Sequence, residues 1–210
     1  MKNENIEKIG INRYLFNNIQ VLSLIINIIF LSNISFADGK LINLIYYFSE
    51  INIVILGKGD KRVLSDNFRF EPSEVIINGE SNNCKKVCNF QEGKNNVTLF
   101  FNDSINNCEN MFYNLKDINE IDFSKFDFSF VTTTKNMFRN CTLLEKIEFG
   151  NNINTSSLIT MESMFNECHN LKSLDLSRFN TDKVENFNFL LNYCKNLVEI
   201  DLGNINTSSA

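Results

Sequence analysis

Four carboxylates, Asp122, Glu148, Asp175 and Asp201, recur at intervals of 26, 27 and 26 residues, each flanked by apolar neighbours. A column of this kind can attract a calcium ion or a basic partner, and solvated like charges so spaced repel by less than about 1 kcal/mol per pair. The alternative is local: each Asp accepts a hydrogen bond from the turn that follows it. Changing all four to Asn separates the two readings, because only the first predicts loss of calcium or partner binding.

Six cysteines fall into two groups. Cys141, Cys168 and Cys194 share one apolar position of the recurring pattern and read as packed core thiols. Cys84, Cys88 and Cys108 lie outside that series, and in an oxidised, exported chain Cys84 is expected to pair with Cys88 or with Cys108. CKKVC is not a CxxC redox motif, and with His169 as the one histidine a zinc site lacks ligands. No nucleophile stands in a pattern with a base and a supporting acid, and no glycine-rich phosphate loop occurs. The residues therefore predict a non-catalytic protein with no cofactor and no metal centre. Glycosylation sequons occur at Asn96, Asn102, Asn140, Asn154 and Asn206, besides Asn33. Asn154 and Asn206 occupy equivalent loops (NINTSS), which marks one edge as the glycan-bearing one.

What positions these residues is a repeat. Units begin at Met111-Phe112, Met137-Phe138, Met164-Phe165 and Leu190-Leu191, and the register holds through Leu115/Cys141/Cys168/Cys194, Ile118/Leu144/Leu171/Leu197 and Ile121/Ile147/Leu174/Ile200. The one extra residue falls in Gly150-Asn151-Asn152, where a loop absorbs it. A fixed period in this range marks coils that bury their apolar faces only by stacking on neighbours. Leu174-Asp175-Leu176 alternates as a strand does. Leu158, Met161, Met164, Phe165 and Cys168 fall at spacings of three and four, which predicts a helix of about two turns. The expected fold is an α/β solenoid of leucine-rich-repeat-like, right-handed coils. Each coil of 26 or 27 residues holds a short parallel strand and a short helix, with a small N-terminal β cap before the first.

The chain divides into three expected regions. Residues 1–37 read as a signal peptide: the apolar run 19–34 follows Lys2, Lys8 and Arg13 and precedes Ser35-Phe36-Ala37, a cleavage-like ending before Asp38. An uncleaved signal anchor is the alternative. Residues 38–107 carry three alternating stretches, Glu50–Leu56, Glu74–Asn78 and Asn96–Phe101, separated by turn-rich segments, and read as the β cap. Residues 108–210 hold four units, the last incomplete, so the sequence is expected to be a fragment of a longer chain. Composition is biased, with 36 Asn and 20 Phe against one Pro and no Trp, as an AT-rich genome imposes. A net charge of −5 without a Lys/Arg cluster excludes a nucleic-acid partner. A membrane would be met only through the signal or anchor segment.

The units MFNECHNLKSLDLSRFNTDKV and MFRNCTLLEKIEFGNNINTSSL resemble the BspA-like leucine-rich surface repeat, also met as the 26-residue surface repeat of mycoplasma lipoproteins. The resemblance covers about residues 108–210, and Phe70–Gly79 looks like the leader of protist members. Departures are Leu115 in the Cys position, Phe128 where a small residue is usual, and Leu190-Leu191 for Met-Phe. The resemblance implies a secreted or cell-surface protein whose solenoid serves adhesion or recognition of an extracellular protein or glycan. A structural coat protein without a specific ligand, or the ectodomain fragment of a larger receptor or enzyme, is the alternative.

Overall fold

A computed structural model describes residues 49–210. The expected signal peptide, its cleavage site and Asn33 lie outside the described residues. Alternation of apolar and polar residues builds β1 (Ser49–Leu56), whose odd-numbered residues are buried. The same pattern forms β6 (Lys94–Phe101), antiparallel to β1 over its whole length. On its other edge β1 pairs antiparallel with β7 (Ile118–Lys125), the strand of the first repeat. β3 (Glu74–Ile77) and β4 (Glu80–Asn82) form a hairpin on β6 through Asn78-Gly79, both at positive φ as a tight two-residue turn requires. β8 (Lys146–Glu148) lies parallel to β7. One mixed six-stranded sheet results, in the order β4-β3-β6-β1-β7-β8. β2 (Gly59–Arg62) with β5 (Val87–Phe90) forms a second sheet, and β9 (Ser173–Asp175) with β10 (Glu199–Asp201) a third. The amino-terminal strands β1, β3, β4 and β6 share this sheet with the strands of the first two repeats.

The expected helix in every unit is corrected. The described residues contain no helix, and the fold is β-rich and mixed-sheet, not a closed α/β solenoid. The reason lies in where the N–H groups go. In the first unit Met111, Tyr113 and Leu115 donate to the carbonyl three residues back, at 3.1–3.2 Å. The alternate residues Cys108, Asn110, Phe112 and Asn114 donate to Thr133, Lys135, Met137 and Arg139 of the next unit, at 2.8–3.0 Å. An α-helix needs every N–H for its own i−4 carbonyl; here half of them are used between units. Apolar spacings of three and four arise from these overlapping turns as readily as from a helix.

The turns require a left-handed residue twice per unit. Asn110 and Asn114, Asn136 and Asn140, Ser163 and Glu167, and Phe189 and Tyr193 all have φ between 54° and 64°. Asn is the non-glycine residue best suited to that region, since its short amide satisfies the local backbone. The asparagines also bridge units: Asn140 Nδ2 donates to Asn114 Oδ1 at 2.6 Å and Asn196 Nδ2 to Asn170 Oδ1 at 3.2 Å. Part of the Asn excess therefore serves the fold.

Inside the turns the side chains stack. Phe112, Phe138 and Phe165 lie face to face, 5.8 and 5.2 Å between centroids, and Phe123 stacks on Phe149 at 5.7 Å. Each of these rings is less than a tenth exposed, and burying one contributes roughly 1.5–3 kcal/mol. Where the chain leaves β8, Gly150 (φ 74°) crosses Ser124 so closely that a Cβ would sit 2.8 Å from its Cα, so a side chain there forces the backbone to shift.

Replacing Asn140 by Val removes both the left-handed tolerance and the bond to Asn114, and should cost roughly 2 kcal/mol in urea denaturation. Asn140→Gly should cost less. Equal losses would contradict the role given to the backbone angle.

Candidate functional site

The acidic column is real in register but divided in use. Asp122 pairs with Glu148 across β7 and β8, and Asp175 with Asp201 across β9 and β10. Asp122 accepts from Ser124 N at 2.7 Å, Asp175 from Ser177 N at 2.8 Å and Asp201 from Gly203 N at 2.8 Å. Asp175 and Asp201 thus close the turns after β9 and β10, while Asp122 makes the same contact within β7, and hydrogen bonds from Ser177 hold the Asp175 carboxyl below its usual range. Glu148, one methylene longer, closes no such turn and lies 3.3 Å from Lys146. Among the described residues no group of three or more His, Cys, Asp or Glu side chains converges as a metal ion would need.

A shallow depression on this face is built by the sheet. A depression of about 360 Å³ opens over β6, β1, β7 and β8, lined by the apolar Ile53, Val54, Val97 and Ile121 together with Asn52, Asn96, Thr98, Glu120, Asp122, Lys146 and Glu148. The row is hydrogen-bonded along its length: Thr98 Oγ1 donates to Asn52 Oδ1 at 2.7 Å, and Asn52 Nδ2 to Glu50 Oε1 at 3.0 Å. Ion pairs flank it, Lys94 with Glu120 at 2.9 Å and Lys125 with Glu50 at 2.8 Å. A smaller depression of about 160 Å³ lies between Glu148, Phe149, Asp175 and Arg178. Donors and acceptors of both signs, held on rigid strands and open to solvent, suit reversible hydrogen bonding to a polar ligand. Asn52 and Thr98 did not stand out in the sequence. Their one signal is strand alternation, which puts them on the polar face without saying that β1 pairs with the first repeat.

The cysteines separate as two systems. Cys84 and Cys88 are joined by a disulfide with Cα atoms 5.3 Å apart, while Cys108 is a buried free thiol. Cys141, Cys168 and Cys194 each donate from Sγ to the carbonyl of Phe112, Phe138 or Phe165 one unit earlier, at 3.0–3.1 Å. The first unit has no preceding phenylalanine carbonyl to serve, which accounts for Leu115 at that position. His169 is half-buried, its backbone N–H bonded to Glu167 O. Of the sequon asparagines, Asn96, Asn102 and Asn154 are exposed, whereas the amide nitrogens of Asn140 and Asn206 donate to Asn114 and Asp182. Those two are tied into the unit-to-unit contacts.

Burial raises the Cys141 thiol from 9.0 to about 12 and Cys194 to about 11, and it holds Cys108 and Cys168 well above 9.0. A folded-state pKa above the unfolded one means that the stabilisation is complete below pH 9 and is lost as pH rises through the folded values. Stability in urea should therefore fall as the pH rises from about 9 to about 11, less steeply in Cys141→Ala/Cys168→Ala than in the parent. Equal slopes would exclude the thiols as the cause.

No curated protein matches this chain. No solved structure matches it either. A family model described as "Mycoplasma protein of unknown function, DUF285" matches residues 106–210, half of the chain and all of the repeats. On that match, the chain belongs to the DUF285 family of mycoplasma proteins.

Proposed function

We propose that this is an exported, cell-surface recognition protein that binds an extracellular protein or glycan non-covalently across the polar face of its six-stranded sheet. The observation that carries the reading is the depression over β6, β1, β7 and β8, where Asn52, Thr98, Glu120 and Glu148 present rigid donors and acceptors to solvent. A shallow depression that combines apolar contact at Val54 with Asn, Thr and charged groups suits non-covalent recognition of a hydroxyl-rich or peptide ligand. Export is supported by the apolar run 19–34 with its basic flank and small-residue ending. The resemblance of the repeat units to the BspA-like surface repeat supports adhesion. Among the described residues no helix is long and apolar enough to cross a membrane, so in this reading attachment rests on segments elsewhere.

The test combines location and binding. Antibody against the repeats should label unpermeabilised cells, and labelling only after permeabilisation would overturn export. The full chain should bind host-cell or matrix surfaces saturably, and Asn52→Ala/Thr98→Ala/Glu148→Gln should weaken that binding by about tenfold or more at unchanged thermal stability. Full binding by the folded triple variant would sink the assignment of this face.

A further inference from the structure

The second unit departs from its neighbours at one place, the exit of its strand. In the first, third and fourth units a three-residue turn closes there, with Phe126 N donating to Phe123 O at 2.9 Å, Phe179 N to Leu176 O at 3.0 Å and Ile205 N to Leu202 O at 3.2 Å. The second unit takes one residue more for the same step, from Phe149 to Ile153, and Ile153 N closes no such bond among the described residues. The position of the recurring Asp is also changed there, to Glu148. The ladder breaks beside it. β7 pairs with β8, and β9 with β10, but β8 and β9 are not paired. Leu176 N donates to Asp201 O at 2.7 Å, whereas the equivalent Phe149 N makes no such bond to Asp175 O.

These departures meet at one cleft, the smaller depression of about 160 Å³. Phe149, Ile153 and Phe179 form its apolar floor. Phe149 and Phe179 pack edge to face with centroids 4.9 Å apart, which holds that floor in place. The polar walls are Glu148, Asn151, Asp175 and Arg178. Glu148 also lines the sheet depression, so the two cavities are neighbours on one face. Charges in the cleft nearly cancel. Glu148 has Lys146 at 3.3 Å, and the Asp175 carboxyl is held down by Ser177 and, through space, by Arg178. Arg178 is exposed and makes no ion pair among the described residues, which leaves its guanidinium donors to a ligand.

We propose that the cleft between β8 and β9 is a subsite for one neutral sugar ring of a glycan, an assignment that rests on the reading of this face as the recognition surface. A volume of about 160 Å³ is below the roughly 300 Å³ where pockets for drug-sized ligands begin, and it takes a single ring rather than a peptide segment. A sugar hydroxyl both donates and accepts, which suits walls where carboxylates only accept and a guanidinium only donates. The C–H face of the ring lies on Phe149, Ile153 and Phe179. A ligand of strong net charge gains little, since an anion meets Glu148 and Asp175 and a cation meets Arg178. The next sugar of the glycan crosses Glu148 into the sheet depression. The extra residue of the second unit thereby has a use: it holds the ladder open.

The probe is an array of immobilised neutral hexose and N-acetylhexosamine oligosaccharides, with sulfated and sialylated oligosaccharides beside them, incubated with a concentration series of the full chain. Saturable binding to a neutral glycan is expected. Asn151→Ala/Arg178→Ala should weaken it by about tenfold or more at an unchanged melting temperature. Deleting Asn152 together with Glu148→Asp restores the spacing of the other units, and it should let β8 pair with β9 and abolish binding in a chain that still folds. Absence of binding to neutral glycans, binding to acidic ones alone, or equal binding by the folded Asn151/Arg178 double variant would overturn the subsite. A chain that binds host cells saturably yet no neutral glycan keeps the recognition reading and loses this one, its ligand then being a protein. A chain that binds neither loses both.

Discussion

Everything in the repeat region depends on how the backbone divides its hydrogen bonds. Successive N–H groups alternate between the unit's own turn and the neighbouring unit, so neither turn nor stack is complete without the other. Isolated turns of this kind would leave half their donors to water, and ordering each residue costs about 1–2 kcal/mol of backbone entropy. Stacking supplies the missing acceptors and buries the Phe columns at the same time. Stability is accordingly a property of adjacent units rather than of any one of them.

That division explains several side-chain choices that otherwise look arbitrary. The recurring cysteine is a small buried donor for a phenylalanine carbonyl one unit back, and it is absent from the unit with no such carbonyl behind it. The recurring Asp accepts from the N–H two residues on, tying down the turn after β9 and β10 and the end of β7, and Ser or Gly stands there because that N–H must face the carboxylate. In the second unit Glu148 replaces Asp, its turn is made by Gly150, and its carboxylate joins the lining of the sheet depression instead.

The repeat register and most core positions were legible in the sequence, since apolar periodicity reports burial whatever the backbone does. The three alternating stretches before the repeats are likewise strands. The helix was misread because Leu158, Met161, Met164, Phe165 and Cys168 satisfy a helical spacing while being strung on overlapping turns; the contrary signal was paired Asn four residues apart at 110 and 114 and again at 136 and 140. The joining of β1 to β7 had no local signature, because antiparallel pairing between residues about seventy apart depends on the whole sheet. For the same reason the depression has no signature in the sequence: its lining comes from four strands, and the sequence singles out Asp122 and Glu148 only as members of the acidic column and Asn96 only as a sequon.

Amide hydrogen exchange on the full chain tests the division of hydrogen bonds most directly. The N–H groups of Phe112, Asn114, Phe138, Asn140, Phe165 and Glu167 should be protected to a common, near-global extent, while those of Phe189, Leu191 and Tyr193 exchange almost freely between protected neighbours Leu190, Asn192 and Cys194. Uniform protection through 187–194, as a helix would give, would contradict the account.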